Sequence, residues 1–167
     1  MTTSDKHRNT PSLQALIQQP IVFIAFGFGS GLAPKAPGTW GTLVGVLLFL
    51  LLQPLPQMFY LLVVVMVSIV GIWICGHAAT VLGVHDHSGI VWDEIAGYLI
   101  TMAFLPSEWI WMAAGFAAFR LFDILKPWPI CVLDRRLGGG LGIMLDDVVA
   151  GLLAGGGLWL LFIGSLD

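Results

Sequence analysis

The residues of this chain best suited to chemistry are carboxylates set in apolar surroundings. Asp93 and Glu94 stand near the start of the apolar stretch Ile90–Leu105, Asp123 near the end of Trp109–Leu125, and Asp146 and Asp147 just before Val148–Ile163. Charge inside such segments is costly unless it is paired or functional. Helix capping could explain one of Asp146 and Asp147, and Asp93, because an acid near a helix N-terminus complements the dipole. It cannot explain Asp123, at a C-terminal end where the dipole disfavours negative charge. Carboxylate oxygens suit a hard cation such as Mg²⁺. On a helix Asp93 and Glu94 diverge by about 100°, so one could bind the metal while the other orients water or pairs with a base.

Cations and bare backbone lie close by. Arg120, Asp123 and Lys126 follow an i, i+3, i+6 line with alternating sign, and Pro127 ends their helix. They form either a self-neutralising salt bridge or a functional set, with Asp123 for a cation and the two bases for an anionic oxygen. The segment Gly27–Thr42 (GFGSGLAPKAPGTWGT) feeds the next helix with little side chain in the way. Backbone N–H groups there could approach a phosphate, with Lys35 as a mobile charge and the Thr39 and Thr42 hydroxyls nearby. The same glycines could instead serve packing in a re-entrant loop, and the Gly-Lys-Ser/Thr ending of a Walker A is missing. A second glycine run, from Gly138, leads to Asp146 and Asp147 at the expected start of the last helix. His85 and His87 flank Asp86, but i and i+2 side chains converge poorly on a helix, so the carboxylates are the better ligand source. Together the segments converge on a Mg²⁺-assisted phosphoryl site.

Positioning such a site falls to an unusual set of elements. The chain has 167 residues, room for one domain, with 57% hydrophobic and only 10% charged residues. Its mean hydropathy is +0.92, whereas a soluble chain carries about 25% charged residues. That excludes a disordered chain, a nucleic-acid binder and a conventional cytosolic enzyme, and places the chain in a bilayer. Met58 to about Ala79 is the clearest span. Gly41–Leu55 is short, about 22 Å as a helix against a hydrocarbon core of about 30 Å. Nothing alternates like barrel strands, and bilayer-buried backbone must satisfy its own hydrogen bonds. The expected fold is therefore all-α, a polytopic membrane helix bundle of four or five transmembrane helices.

The N-terminus differs from the rest. Residues 1–20 form a polar segment with a short interfacial helix, where Leu13, Leu16 and Ile17 have helical spacing and Pro20 stops the turn. Residues 21–167 form a single membrane-embedded domain, and Ile21–Phe28, too short to cross, reads as interfacial or re-entrant. With five crossings from a cytoplasmic N-terminus, all seven Lys and Arg (Lys6, Arg8, Lys35, Arg120, Lys126, Arg135, Arg136) fall on the cytoplasmic side. The clustered acids go with them, and Arg135 and Arg136 could face anionic lipid headgroups. Cys75 and Cys131 suggest neither a disulfide framework nor a zinc site. The row Gly151, Gly155, Gly156, Gly157 could pack helices within one chain or between two, which leaves a homo-oligomer open.

Four segments, GFGSGLAPKAPGTWGT, VHDHSGIVWDEIAGY, FRLFDILKPWPI and GGLGIMLDDVVAG, in this order and spacing over about residues 25–156, resemble the phosphatidylglycerophosphatase A family. The resemblance implies a Mg²⁺-dependent lipid phosphatase of the bacterial inner membrane. Such an enzyme removes the terminal phosphate of phosphatidylglycerophosphate at the cytoplasmic leaflet, giving phosphatidylglycerol and phosphate. On that reading Asp93, Glu94, Asp123, Asp146 and Asp147 form the catalytic, metal-binding centre, with Asp123 and one of Asp146 and Asp147 foremost. Lys35, Arg120 and Lys126 contact the phosphate, and Asp86, Arg135 and Arg136 rank second. Attack by water is favoured over an aspartyl-phosphate intermediate. The chief alternative is a small cation-coupled transporter or channel subunit using the acids as an ion path. It needs charge deep in several helices, yet the middle of Met58–Gly76 is bare.

Overall fold

The computed structural model describes residues 11–84 and 87–164, and of residues 134–136 the backbone alone. The expectations for Lys6, Arg8, His85, Asp86, Arg135 and Arg136 lie outside the described residues. The described elements are all helical: α1 (Leu13–Ile17), α2 (Pro20–Ala25), a 3₁₀ segment (Gly27–Leu32), α3 (Pro37–Leu52), α4 (Gln57–Leu82), α5 (Trp92–Met102), α6 (Trp109–Leu125), α7 (Ile130–Arg136) and α8 (Gly139–Gly164).

Local chemistry sets several boundaries. The Ser12 hydroxyl caps α1 by accepting from the Ala15 N–H at 3.2 Å. Pro20 not only follows α1 but opens α2 as its first residue, a position where the missing N–H costs nothing. Gly83, at φ +65°, closes α4 in the left-handed conformation.

Among the described residues two helices are long and apolar enough to cross a membrane, α4 and α8, each of 26 residues. Their outward faces are apolar rather than polar: Met58, Phe59, Leu62, Val65, Met66 and Ile69 on α4, and Leu160 and Leu161 on α8, are exposed. A helix facing water would carry polar residues there.

Of the four or five crossing helices expected, two reach this length and apolarity among the described residues. α3 has 16 residues and α6 has 17, at or below the lower limit for a span. The stretch read as Ile90–Leu105 is helical only over the 11 residues of α5, which are buried from Ile95 through Met102. It packs against α3, α4, α6 and α8, so it meets protein on its sides and need not match a lipid thickness. An apolar run of that length is a core helix rather than a span.

The most extensive seam between the described elements is that of α5 and α8. A Cβ on Gly151 would strike the Gly97 carbonyl oxygen and lie 3.2 Å from the Ile100 Cβ, while one on Gly155 would lie 2.7 Å from the Thr101 carbonyl oxygen. Thr101 uses the approach, its hydroxyl donating to the Gly97 carbonyl at 2.9 Å and the Gly151 carbonyl at 3.3 Å. Small residues that let backbones meet are the usual adhesive between apolar helices. Gly151→Leu is therefore expected to destabilise the fold by about 1–3 kcal/mol through overpacking, read as a lowered melting temperature in detergent. Gly156 and Gly157 have nothing within 4 Å of a built Cβ, and alanine at Gly156 should leave the melting temperature unchanged or slightly raised.

Cross-bundle hydrogen bonds orient α5. The Tyr60 hydroxyl donates to the Leu99 carbonyl at 2.6 Å, and the Tyr98 hydroxyl to the Met112 carbonyl at 3.2 Å. The Gln57 side-chain amide donates to the Ala103 carbonyl at 3.1 Å, so the α3–α4 and α5–α6 turns share one end of the bundle. The first turn of α5, with Asp93 and Glu94, lies about 16 Å away along the helix axis, at the other end.

Candidate active site

That other end collects the carboxylates. Asp93 and Glu94 occupy the first turn of α5, where the helix dipole favours negative charge. Asp147, only 2% exposed, projects from α8, and one oxygen from each of Asp93, Glu94 and Asp147 lies within 4.8 Å of the others. The 100° divergence expected of Asp93 and Glu94 thus does not keep their oxygens apart.

Asp146 and Asp147 stand two turns inside α8, which begins at Gly139; the expectation that they sit at the start of the last helix is corrected. The glycine run is the first turn of that helix. A Cβ on Gly140 would run into the Ile72 carbonyl oxygen and lie 2.6 Å from the Gly76 nitrogen. Glycine is retained there because α8 and α4 touch backbone to backbone. Asp146 and Asp147 therefore cap nothing, and both are buried.

Arg120, Asp123, Lys126 and Asp146 are held by partners. Arg120 Nη1 pairs with Asp123 Oδ2 at 2.5 Å and lies 3.7 Å from Glu94 Oε1, with all three side chains largely shielded. Lys126 does not continue the helical line of Arg120 and Asp123: it is the left-handed cap of α6, at φ +42°. From there its Nζ reaches Asp146 Oδ2 at 2.5 Å. The Asp147 N–H donates to the other Asp146 oxygen at 3.1 Å. Asp123 faces both Glu94 and Asp147 closely enough to act on them electrostatically. Lys35 is exposed on the loop before α3 and makes no ion pair among the described residues. Thr42 spends its hydroxyl on the Gly38 carbonyl at 2.8 Å. His87 is buried, and its Nδ1 accepts the Gly89 N–H at 3.0 Å, a structural use of the imidazole.

One contributor was not singled out from sequence. Gly38, in the first turn of α3, lies directly on the site: a Cβ there would collide with Glu94 Oε1 and sit 2.9 Å and 3.1 Å from Arg120 Nη1 and Nη2. Its signal was its place in a glycine-rich loop ending in a helix start, but the sequence does not say which of those glycines meets the carboxylates.

The donor set fits a divalent cation. Asp93 Oδ1, Glu94 Oε2 and Asp147 Oδ2 are buried and accept no hydrogen bond. Like charges this close cannot all stay ionised away from water without a counter-cation. An all-oxygen set suits Mg²⁺ or a similar hard ion. Arg120 Nε is also buried without a hydrogen-bond partner, a donor facing no acceptor beside three acceptors facing no donor.

The family model for phosphatidylglycerophosphatase A matches residues 23–162, a range that contains the carboxylates, Arg120, Lys126 and Gly38. A phosphatidylglycerophosphatase A of Escherichia coli K12 is 44% identical over 165 residues, covering 98% of this chain and 95% of that protein. One of Haemophilus influenzae is 45% identical over 148 residues, covering 87% of this chain and 91% of that protein. No solved structure matches the chain. With matches of this extent enclosing every residue of the buried acidic centre, the chain belongs to the phosphatidylglycerophosphatase A family.

Proposed function

We propose that this chain hydrolyses the terminal phosphomonoester of phosphatidylglycerophosphate, giving phosphatidylglycerol and phosphate, at the cytoplasmic face of a bacterial inner membrane. The observation that carries the reading is the meeting of three carboxylates from α5 and α8, each with a buried oxygen that accepts no hydrogen bond, beside an arginine N–H without an acceptor, in a chain of this family. In this reading α4 and α8 cross the bilayer, α3, α5 and α6 pack between and around them, and the basic loops set the orientation.

Asp93, Glu94 and Asp147 would hold Mg²⁺, which when bound supplies charge neutralisation for the phosphomonoester and acidifies water. Arg120 donates to a phosphate oxygen through Nε, a charge-assisted bond, while Asp123 fixes the guanidinium plane through Nη1. Lys126 is held by Asp146 at the α6–α7 corner and adds positive potential on the same side. Water attacks phosphorus, the bond from phosphorus to the glycerol oxygen breaks, and the departing oxygen takes up a proton. The attacking water surrenders its own proton to a carboxylate of the cluster. Asp123 and Asp146 thus act through the cations they orient. The transporter alternative is not favoured, since the charges meet at one end of the bundle instead of lining a path through it.

Purified protein in detergent is expected to release phosphate from phosphatidylglycerophosphate, to stop when EDTA is added, and to recover when Mg²⁺ is restored. Absence of release by the wild-type protein with Mg²⁺ would overturn the reading. A stoichiometric, hydroxylamine-labile phosphate label on the protein would overturn the direct water route in favour of an aspartyl-phosphate.

A further inference from the structure

The metal ligands come from two helices, so something must set the separation between α5 and α8 at the level of the site. Trp92 immediately precedes Asp93 as the first residue of α5. Its indole N–H donates to the Val67 carbonyl of α4 at 3.2 Å. The ring lies over Gly71, one turn further along α4: a Cβ on Gly71 would be 2.8 Å from Trp92 Cδ1 and also 2.8 Å from Met144 Sδ. Met144 belongs to α8 and is fully buried, and it stands one turn before Asp147. Gly71 therefore leaves a notch in α4 that receives one side chain from the residue preceding Asp93 and another from the turn preceding Asp147. On its outer side the Trp92 ring meets the Phe28 ring edge-on, with centroids 6.2 Å apart.

We infer that Trp92 is a positioning residue for the cation: seated in the Gly71 notch beside Met144 and tied to Val67, it fixes the first turn of α5 against α8 and so sets how closely the Asp93 and Glu94 oxygens approach that of Asp147. Indole is suited to this. It is rigid beyond two side-chain torsions, and its single donor selects one orientation in the notch. Groups that orient ligands in this way commonly govern metal affinity as strongly as a weak ligand does. The inference rests on the metal reading of the acidic cluster given above.

The test is Mn²⁺ binding to the full chain in detergent, followed by electron paramagnetic resonance of the free ion, with thermal melting of the metal-free proteins run in parallel. Trp92→Phe keeps an aromatic ring in the notch but loses the donor and part of the wedge. Gly71→Ala keeps the indole and fills the notch. Each is expected to weaken Mn²⁺ binding by roughly 10- to 100-fold. Phosphate release by each should climb back toward the wild-type rate as Mn²⁺ is raised, because mass action refills a loosened site. Trp73→Phe, an exposed tryptophan on the same helix, should bind Mn²⁺ as the wild type does. A Trp92→Phe or Gly71→Ala protein that melts cooperatively and binds Mn²⁺ with wild-type affinity overturns the inference. So does a rate that stays low when the site is saturated. If Trp92→Phe does not fold, Gly71→Ala decides alone. If the wild-type protein fails to bind Mn²⁺ at all, the metal reading itself has failed, an outcome distinct from the two variants behaving like a binding-competent wild type.

Discussion

Asp147→Asn is expected to lower phosphate release by roughly 10³-fold, because several kcal/mol of metal-derived charge stabilisation are lost at about 1.4 kcal/mol per tenfold in rate. Asn keeps the shape of the side chain and one carbonyl-type oxygen but gives up the charge. Two further consequences separate this from a folding defect. Asp147 is buried with oxygens of Asp93 and Glu94 within 4.8 Å, so neutralising it removes like-charge repulsion, and the metal-free variant should melt no lower than the metal-free wild type. The rise in melting temperature expected when Mg²⁺ is added to the wild type should be absent in the variant, since stabilisation by a ligand requires binding to the folded state. A metal-free variant that unfolds well below the wild type would instead mean that Asp147 is held by a donor and serves the fold.

Gly38→Ala is the second large effect. Glu94 Oε1 and the Arg120 guanidinium stand where the new methyl group would go, and Arg120 is already fixed by Asp123. Either the first turn of α3 moves out or the arginine moves away from the phosphate position, and a misplacement of about 1 Å can cost roughly 100-fold in rate. The loss should fall on kcat and on Mn²⁺ affinity together, because the new methyl group would press on Glu94, a proposed ligand, as well as on Arg120. Gly156→Ala, at a position with nothing within 4 Å, should leave activity unchanged. A Gly38→Ala protein with wild-type kcat would show that Arg120 does not have to hold its observed place.

The contrast between these two positions marks what was legible in the sequence. Acids at the mouths of apolar segments were conspicuous because charge is scarce in this chain. The all-helical fold followed from the need of buried backbone to bond to itself. Division of labour among the acids was not legible. Asp146 and Asp147 are neighbours in sequence, but their side chains leave α8 about 100° apart. One meets Lys126 and the other meets Asp93 and Glu94.

Lys126 shows the same limit. Its i+6 spacing from Arg120 suggested one helical face, but α6 ends one residue earlier and the left-handed turn carries the lysine to α8. The glycines misled in the opposite direction. Glycine is a poor helix former, so Gly138–Gly142 read as a loop, yet contact between α8 and α4 requires helical residues without Cβ at Gly140. α5, an apolar run enclosed by its neighbours, looks in sequence like one that faces lipid.

The most direct test of the central claim is a Mn²⁺ titration of five single variants, Asp93→Asn, Glu94→Gln, Asp123→Asn, Asp146→Asn and Asp147→Asn, followed by electron paramagnetic resonance. The account predicts that the Asp93, Glu94 and Asp147 variants lose tight binding, while the Asp123 and Asp146 variants keep it and lose activity through the cations they orient. Tight Mn²⁺ binding by Asp147→Asn, together with its loss in Asp123→Asn or Asp146→Asn, would contradict it.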